Sequence, residues 1–446
     1  MSKRRLGLWM NAERVGTWTR TPGGDELDYA PDWVSSPQGR PLSLALPFRP
    51  GNEPHRGPGV DAFFENLLPD SSVARERLAR RYQISTPDAF GLLSEVGRDC
   101  AGALYIAPLD QPPGDVRRID ADPLDEADVA RLLRAEIELR AAGQVMESPQ
   151  APRVAIAGAQ EKTALLWHQN RWWRPAGATP TTHILKLPLG LVGNMRLDLS
   201  DSVDNEWLCA LVLAAYGLPV ARCHPVVFED RRVLAVERFD RRWSDDGSWI
   251  TRLPQEDLCQ ATGKAPHLKY EADGGPGIDA ILRLLGGSTQ PERDRESFLK
   301  AQLIFWMLCA PDGHAKNFSI ALHIGGAFSL APLYDVLSAY PLLGFGPGRL
   351  SLHRVKLAMA VRSKNAHWRM QDILRRHWEL VGRRNGVTAA DGRDVSAIVQ
   401  NLAEQTPAVI EHVAGQVPPS FPARVLDLVC TGLRDAAATL ARGPGR

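Results

Sequence analysis

The stretch A-P-D-G-H-A-K-N-F-S, Ala310 to Ser319, follows the apolar run L-I-F-W-M-L and gathers Asp312, His314, Lys316 and Asn317 within six residues. Pro311, Gly313 and Asn317 supply turn chemistry, so these ten residues standing alone read as a polar loop at the end of a buried helix. What lies on either side of them supports a second reading.

Phosphoryl transfer from a nucleotide needs an oriented hydroxyl, a divalent cation to offset phosphate charge and a cationic side chain on the phosphate oxygens. In protein kinases the catalytic-loop Asp and a metal-binding Asn stand five residues apart, and a second metal-binding Asp follows. Here Asp312 and Asn317 are five apart, and Y-D-V-L-S puts Asp335 eighteen residues further on, past a predicted hairpin of N-F-S-I-A-L-H-I and A-F-S-L-A-P-L-Y-D-V. Asn317 and Asp335 are hard oxygen donors of the kind magnesium takes, and Asp312 would face the substrate hydroxyl. Lys316 suits a phosphate. His314 reads more readily as a structural hydrogen-bonding residue than as a proton carrier.

Upstream, T-H-I-L-K-L-P places Lys186 on a predicted strand, and a buried lysine calls for an anion. Glu206, in the helix that follows, is either its partner or a solvated first-turn residue. V-E-R-F-D-R-R offers Glu237, Arg238 and Phe239 as a hinge presenting backbone groups to adenine, or as an edge strand ending in a salt-bridged turn. I-A-G-A-Q-E-K-T-A-L-L is neither a Walker loop nor G-x-G-x-x-G. Its segment from Ala157 to Lys162 could close over phosphates through backbone N–H groups, or be a β-turn.

Fifty-three basic against fifty-two acidic residues in 446 leave a formal charge of +1, so no global field would hold the chain on nucleic acid or an anionic membrane. The six cysteines show no C-x-x-C spacing and read as buried free thiols. No apolar run approaches the roughly 20 residues that span a bilayer, and the basic N-terminus lacks the apolar core of a signal peptide. A cytoplasmic protein without a membrane partner is the expectation.

Periodicity predicts a β-rich part followed by a larger α-rich part. Strands are expected at L-G-L-W-M, R-V-G-T-W-T-R, T-A-L-L-W-H, T-H-I-L-K-L-P, H-P-V-V-F-E and R-V-L-A-V-E-R-F-D, with a helix over Asp201 to Tyr216. The run E-R-D-R-E-S-F-L-K-A-Q-L-I-F-W-M-L-C-A predicts a long helix through a core, and three amphipathic helices finish the chain. S-P-Q-A-P-R reads as a linker, which sets the expected blocks at 1–147, 148–240 and 241–446. Arg375, Arg376, Arg383 and Arg384 form a basic cluster that is either a DNA contact or a solvated helix face.

Taken together and in order, A-G-A-Q-E-K-T-A-L-L, H-I-L-K-L-P, E-R-F-D-R, L-P-Q-E-D-L-C-Q-A-T-G, D-G-H-A-K-N-F-S and L-A-P-L-Y-D-V-L-S resemble the HipA family of bacterial toxin serine/threonine kinases. L-G-L-W-M-N-A-E-R-V-G-T-W-T-R and F-F-E-N-L-L-P-D are similar to its N-terminal subdomain, so the resemblance spans nearly the whole chain. It implies an α+β, two-lobed, protein-kinase-like fold: a β-rich N-terminal lobe with an added N-terminal subdomain, and a larger α-helical C-terminal lobe. It implies ATP and Mg2+ as cofactors, a HipB-like helix-turn-helix antitoxin as partner and operator DNA bound through that complex. It also implies an aminoacyl-tRNA synthetase as substrate, notably glutamyl-tRNA synthetase, with growth arrest or persistence as the outcome. A rival is a catalytically silent nucleotide-binding co-repressor.

By position, the resemblance makes Asp312 the catalytic aspartate and Asn317 and Asp335 the magnesium ligands. Ala157, Gly158, Ala159, Gln160, Glu161, Lys162 and Lys186 become phosphate binders, and Glu237, Arg238 and Phe239 the adenine hinge. His314, Ala315, Lys316, Tyr334, Val336 and Leu337 complete the implied cofactor site. One position departs from the pattern. Where the family commonly carries an autophosphorylated serine that switches the kinase off, this chain has Ala155, which offers no hydroxyl, so the chain lacks that brake, uses another hydroxyl such as Thr163, or is an engineered variant.

Overall fold

The computed structural model describes residues 4–142 and 162–442, and the chain divides into two compact units whose segments alternate along the sequence. The first takes Met1–Leu187, Val226–His267 and Ile320–Ala327; the second takes Pro188–Pro225, Leu268–Ser319 and Phe328–Arg446. The expected blocks 1–147, 148–240 and 241–446 cut the chain elsewhere, because strand pairing and packing join distant segments and no composition signal marks such a return.

In the first unit a five-stranded antiparallel sheet runs in the order His55–Arg56, Gly24–Tyr29, Glu13–Thr21, Arg4–Met10, Leu104–Pro108. Its first hairpin turns through Asn11 and Ala12 at φ 46° and 73°, the left-handed pair that a tight two-residue hairpin requires. Leu6, Leu8, Val15, Trp18 and Leu27 face a buried core. Trp18 stacks on Phe64 of the helix Pro58–Glu65 at 3.7 Å and meets Phe90 of the helix Ala89–Val96 edge-on at 4.7 Å. These two helices have eight residues each, too few turns for their period to stand out among Pro and Gly in the sequence.

A second sheet has six strands in the order Cys223–Phe228, Arg231–Glu237, His183–Lys186, Lys162–His168, Arg171–Pro175, Ala121–Leu124. The expected strands are all present. Leu165, Leu185 and Val233 from its middle strands share a core with Val129, Ala130 and Leu133 of the helix Glu126–Ala142.

The second unit is mainly helical. The helix Ser202–Ala215 lies within a residue of its expected bounds, and Arg375–Arg384, Val395–Gln416 and Ala423–Ala441 are the three closing helices. A strand pair, Lys356–Arg362 with Ala366–Arg369, was not anticipated in this α-rich region. The helix Pro291–Met307 buries Phe298, Leu299, Leu303, Ile304 and Phe305. It stops in a Schellman turn: Cys309 takes a left-handed φ of 50°, its N–H returns to Trp306 O, and the Ala310 N–H returns to Phe305 O at 2.8 Å. Pro311 then prevents the helix resuming. The polar loop is thus delivered at a fixed angle from a buried helix.

Of the six cysteines, none is in a disulfide; Cys223 is partly exposed and the other five are buried. Among the described residues no helix is long and apolar enough to cross a membrane.

Candidate active site

In the second unit the loop after the Schellman turn is held from three sides. Its own backbone closes it, with the His314 N–H on Asp312 O at 2.8 Å and the Asn317 N–H on His314 O at 2.9 Å. Below it, Phe305 and Phe318 stack, and a Cβ on Gly313 would come within 2.5 Å of the Phe305 ring, so only glycine fits there. Behind it, the Tyr334 hydroxyl donates to Lys316 O at 3.0 Å and lies 2.7 Å from Ser319 Oγ. Tyr334 therefore has a bracing part in this loop whatever it does for a cofactor.

Asn317 links the two aspartates. Its Nδ2 donates to Asp312 O at 2.9 Å and to Asp335 O at 3.4 Å. With both amide hydrogens directed at carbonyls, the side chain has its Oδ1 to offer a ligand, and a hard oxygen is what magnesium takes. Asp335 sits at φ 62°, a left-handed conformation that costs a non-glycine residue about 1–2 kcal/mol. Strain of this kind persists only where surrounding contacts impose it.

Those contacts begin three residues on. Ser338 exchanges two hydrogen bonds with buried Asn205 of the helix Ser202–Ala215, each 2.8 Å. Its hydroxyl donates to Leu308 O at 2.6 Å, and the Ala339 N–H donates to Cys309 O at 2.9 Å. The residues after Asp335 are thereby tied to the helix end that delivers Asp312. Val336 is buried beside them and Leu337 is half-buried.

Asp312 itself stays open, with 66% of its side chain exposed. Tyr270 donates its hydroxyl to Oδ1 at 2.6 Å, and His314 Nε2 stands 4.0 Å from the same oxygen. His314 is buried with its ring edge-on to Tyr270 at 5.0 Å, in keeping with a structural part; Ala315 and Lys316 are buried as well. One carboxylate oxygen is thus held while the other remains open to an incoming hydroxyl.

In the first unit, Lys186 is buried and stands directly opposite Lys162 on the neighbouring strand. Opposed residues of an antiparallel pair project to the same face, so two cations share one side of the sheet, an arrangement that is unfavourable without an anion. Glu206, in the second unit, is buried rather than a solvated first-turn residue. Ala155 and the residues Ala157, Gly158, Ala159, Gln160 and Glu161 lie outside the described residues.

The strand Arg231–Glu237 lies inside the sheet, not at its edge, and ends in a salt-bridged turn. Glu237 is exposed and Phe239 half-buried. The Arg238 N–H donates to Thr182 O at 2.9 Å, and its guanidinium bonds Asp99, Asp240, Thr181 Oγ1 and Cys100 O. Its carbonyl already accepts the Arg241 N–H at 3.1 Å. Arg241 and Arg252 join the cluster on Asp99 at 2.8 and 3.1 Å. Burial pushes the Asp99 carboxyl up, but the three guanidiniums outweigh it and hold the group below the ordinary carboxylate range.

A profile described as the HipA-like C-terminal domain matches residues 154–410, and one described as the HipA N-terminal domain matches residues 6–107. The chain belongs to the HipA family. A Sinorhizobium fredii protein named "Putative kinase Y4mE" is 35% identical over 348 residues, covering 76% of this chain and 79% of that protein. The serine/threonine-protein kinase toxin HipA of Shewanella oneidensis is 26% identical over 325 residues, covering 70% of this chain and 69% of the toxin. A solved complex of Shewanella oneidensis HipA with HipB and its operator DNA superposes with a TM-score of 0.77 at 21% identity, over 97% of this chain and 96% of that one. The fold is therefore the α+β, kinase-like fold of HipA.

Sequence reasoning missed Tyr270, Asn205 and Ser338 in the second unit and, in the first, the Asp99 cluster. Asn205 had no distinguishing signal, standing between Asp204 and Glu206 in the polar opening of its helix. Tyr270 had none, lying in a loop forty-two residues before Asp312. The motif L-P-Q-E-D-L-C-Q proves structural in its polar residues. Asp257 and Gln260 form a capping box, Gln260 Nε2 donates to Phe63 O at 3.0 Å, and Leu44 N–H donates to buried Glu256 Oε1 at 2.8 Å. Burial pushes the Glu256 carboxyl up to about 8. The C-terminal arginine cluster is largely committed to helix packing: Arg375 pairs with Glu379 at 2.7 Å, Arg383 with Asp394 at 3.0 Å, and Arg384 with Asp279.

Proposed function

We propose that this chain is an Mg-ATP-dependent serine/threonine protein kinase and the toxin of a toxin–antitoxin module. The observation that carries the reading is the Asn317 side chain reaching both the Asp312 and Asp335 carbonyls, which brings a base and two oxygen ligands into one cluster. Asp312 accepts the proton of the substrate hydroxyl through its open oxygen, while Tyr270 holds the other. Asn317 Oδ1 and the Asp335 carboxylate would hold magnesium, which would offset charge on the phosphates. Two protein oxygens suffice for magnesium, which keeps waters and phosphate oxygens as its other ligands. Lys186 and Lys162, with the Ala157–Lys162 loop, take the phosphates; Glu237, Arg238 and Phe239 offer backbone groups to adenine; and Lys316 lies near the transferred group.

The substrate is an aminoacyl-tRNA synthetase, glutamyl-tRNA synthetase first, and the consequence is growth arrest in the cytoplasm. The partner is a HipB-like helix-turn-helix antitoxin, which carries the pair onto operator DNA and supplies the positive charge that this chain, at +1, lacks. With Ala155 at the family's autophosphorylated position, the off-switch by self-modification is missing.

Transfer of labelled γ-phosphate from Mg-ATP to glutamyl-tRNA synthetase tests the reading, with wild type, Asp312→Asn and Ala155→Ser compared. Label that depends on Asp312 supports it, and self-label confined to Ala155→Ser supports the missing switch. ATP binding without transfer to any protein of a lysate overturns the kinase reading in favour of a silent co-repressor.

A further inference from the structure

The most exposed apolar side chain reported among the described residues is Phe345, 99% accessible, at the tip of a loop that leaves the Asp335 segment. The loop is not slack. Its base is closed by the Gly344 N–H on Leu350 O at 3.0 Å and the Leu350 N–H on Leu342 O at 2.9 Å. Arg349 and Arg424 both donate to Pro341 O, at 3.0 and 2.7 Å. Gly344, Gly346 and Gly348 have φ of 156°, 95° and 70°, backbone that disfavours side chains and turns the ring outward. The chain therefore holds a phenyl ring in water on a braced support, at a cost in hydrophobic free energy that contact with a partner would recover.

The surroundings define that partner. The hairpin Gly190–Leu199 abuts the loop, a Cβ on Gly348 coming 3.6 Å from Arg196 O. It adds Leu191 and Met195, each about half exposed, and Leu352 is exposed further along the chain. From Leu343 to Lys356 the chain carries Arg349, Arg354 and Lys356 and no carboxylate. Arg196, on that hairpin, and Arg354, two residues after Leu352, are exposed, with Asp198 the acidic group on the hairpin. An apolar tip with a basic rim is complementary to an extended segment that combines an apolar side chain with acidic ones. The chain enters this loop from a residue fastened to the helix that ends before Asp312, Tyr340 OH donating to Met307 O at 3.0 Å.

We infer that the loop Leu343–Leu350, with Phe345 as its anchor, docks the phosphoacceptor protein through an apolar and acidic segment near the accepted hydroxyl. The inference rests on the kinase reading and names how that site selects its substrate.

The test is phosphorylation of a degenerate serine-centred peptide library by wild type, Phe345→Ala and Arg354→Glu, followed by KM and kcat on the peptide wild type prefers. Wild type should select an apolar residue at one position and acidic residues around it. Phe345→Ala should lose the apolar preference and raise peptide KM about tenfold, and Arg354→Glu should lose the acidic preference. ATP affinity and melting temperature should hold in both, since neither side chain is buried or placed in the phosphate site. Unchanged selection and KM in both variants, with wild type active, overturn the docking assignment alone. Failure of wild type to phosphorylate any peptide or protein overturns the kinase reading and this inference together.

Discussion

Two clusters in this molecule each gather polar and basic side chains about an aspartate, and they treat its charge in opposite ways. Around Asp99, two aspartates and three arginines are all buried, and each guanidinium ends on a carboxylate or a carbonyl. Around Asp312, an aspartate, a histidine, a lysine and an asparagine gather just as closely, yet the carboxylate is 66% exposed with one hydroxyl donating to it. Charge that is paired with opposite charge inside the protein is structure. Charge that the protein orients and then leaves open on one side is available for chemistry.

That contrast can be broken most readily at Asp312. Asp312→Asn should lower phosphate transfer by about a thousandfold while leaving denaturant stability within about 0.5 kcal/mol, because the exposed side chain contributes little to packing. A variant that unfolds instead would make the two clusters alike. Asp99→Asn is the converse case. It leaves three buried guanidiniums short of a charge and should cost about 3–5 kcal/mol in urea unfolding, with any loss of transfer following loss of folded protein.

Asn205→Ala sharpens the comparison from the support side. It strands the buried Ser338 N–H and C=O and should cost about 1–3 kcal/mol, and it should also weaken Mg-ATP binding by releasing the strained Asp335; a stability loss with unchanged ATP affinity would separate the brace from the site. Glu256 offers a separate check, measured as melting temperature against pH. Its folded-state pKa, near 8, stands above the unfolded value of 4.5, so the folded protein keeps a proton that the unfolded chain gives up. Wild-type stability therefore falls as pH rises through that window, and the advantage of Glu256→Gln over wild type should grow between about pH 5 and about pH 8.5. A pH-independent difference would mean that the carboxyl is already ionised when folded.

The grouping of Asp312, Asn317 and Asp335 was legible beforehand, and for one reason: these residues are close in sequence or separated by one short hairpin. Asp312, His314, Lys316 and Asn317 share a loop, and Asp335 follows after eighteen residues from Asn317, so spacing alone brought them together. The strand bearing Lys186 was readable from its apolar residues and bounding turns. Arg238 was harder. As a residue near a hinge it suited a nucleotide, whereas its side chain and N–H are both committed to the protein, and its partners Asp99 and Cys100 lie more than a hundred residues upstream. The short helices around Phe64 and Phe90 escaped notice because eight residues make barely two turns.

The sequence by itself determined the family, the order of the candidate site residues, and the strands and long helices that carry them, because spacing and periodicity are local properties of the chain. Only the tertiary structure decided which charges are satisfied. It set Asn205 against Ser338 across 133 residues, Tyr270 on Asp312 across 42, and three arginines on Asp99. A hydrogen bond or ion pair depends on distance in space and on exclusion of water, and neither can be read from position along the chain.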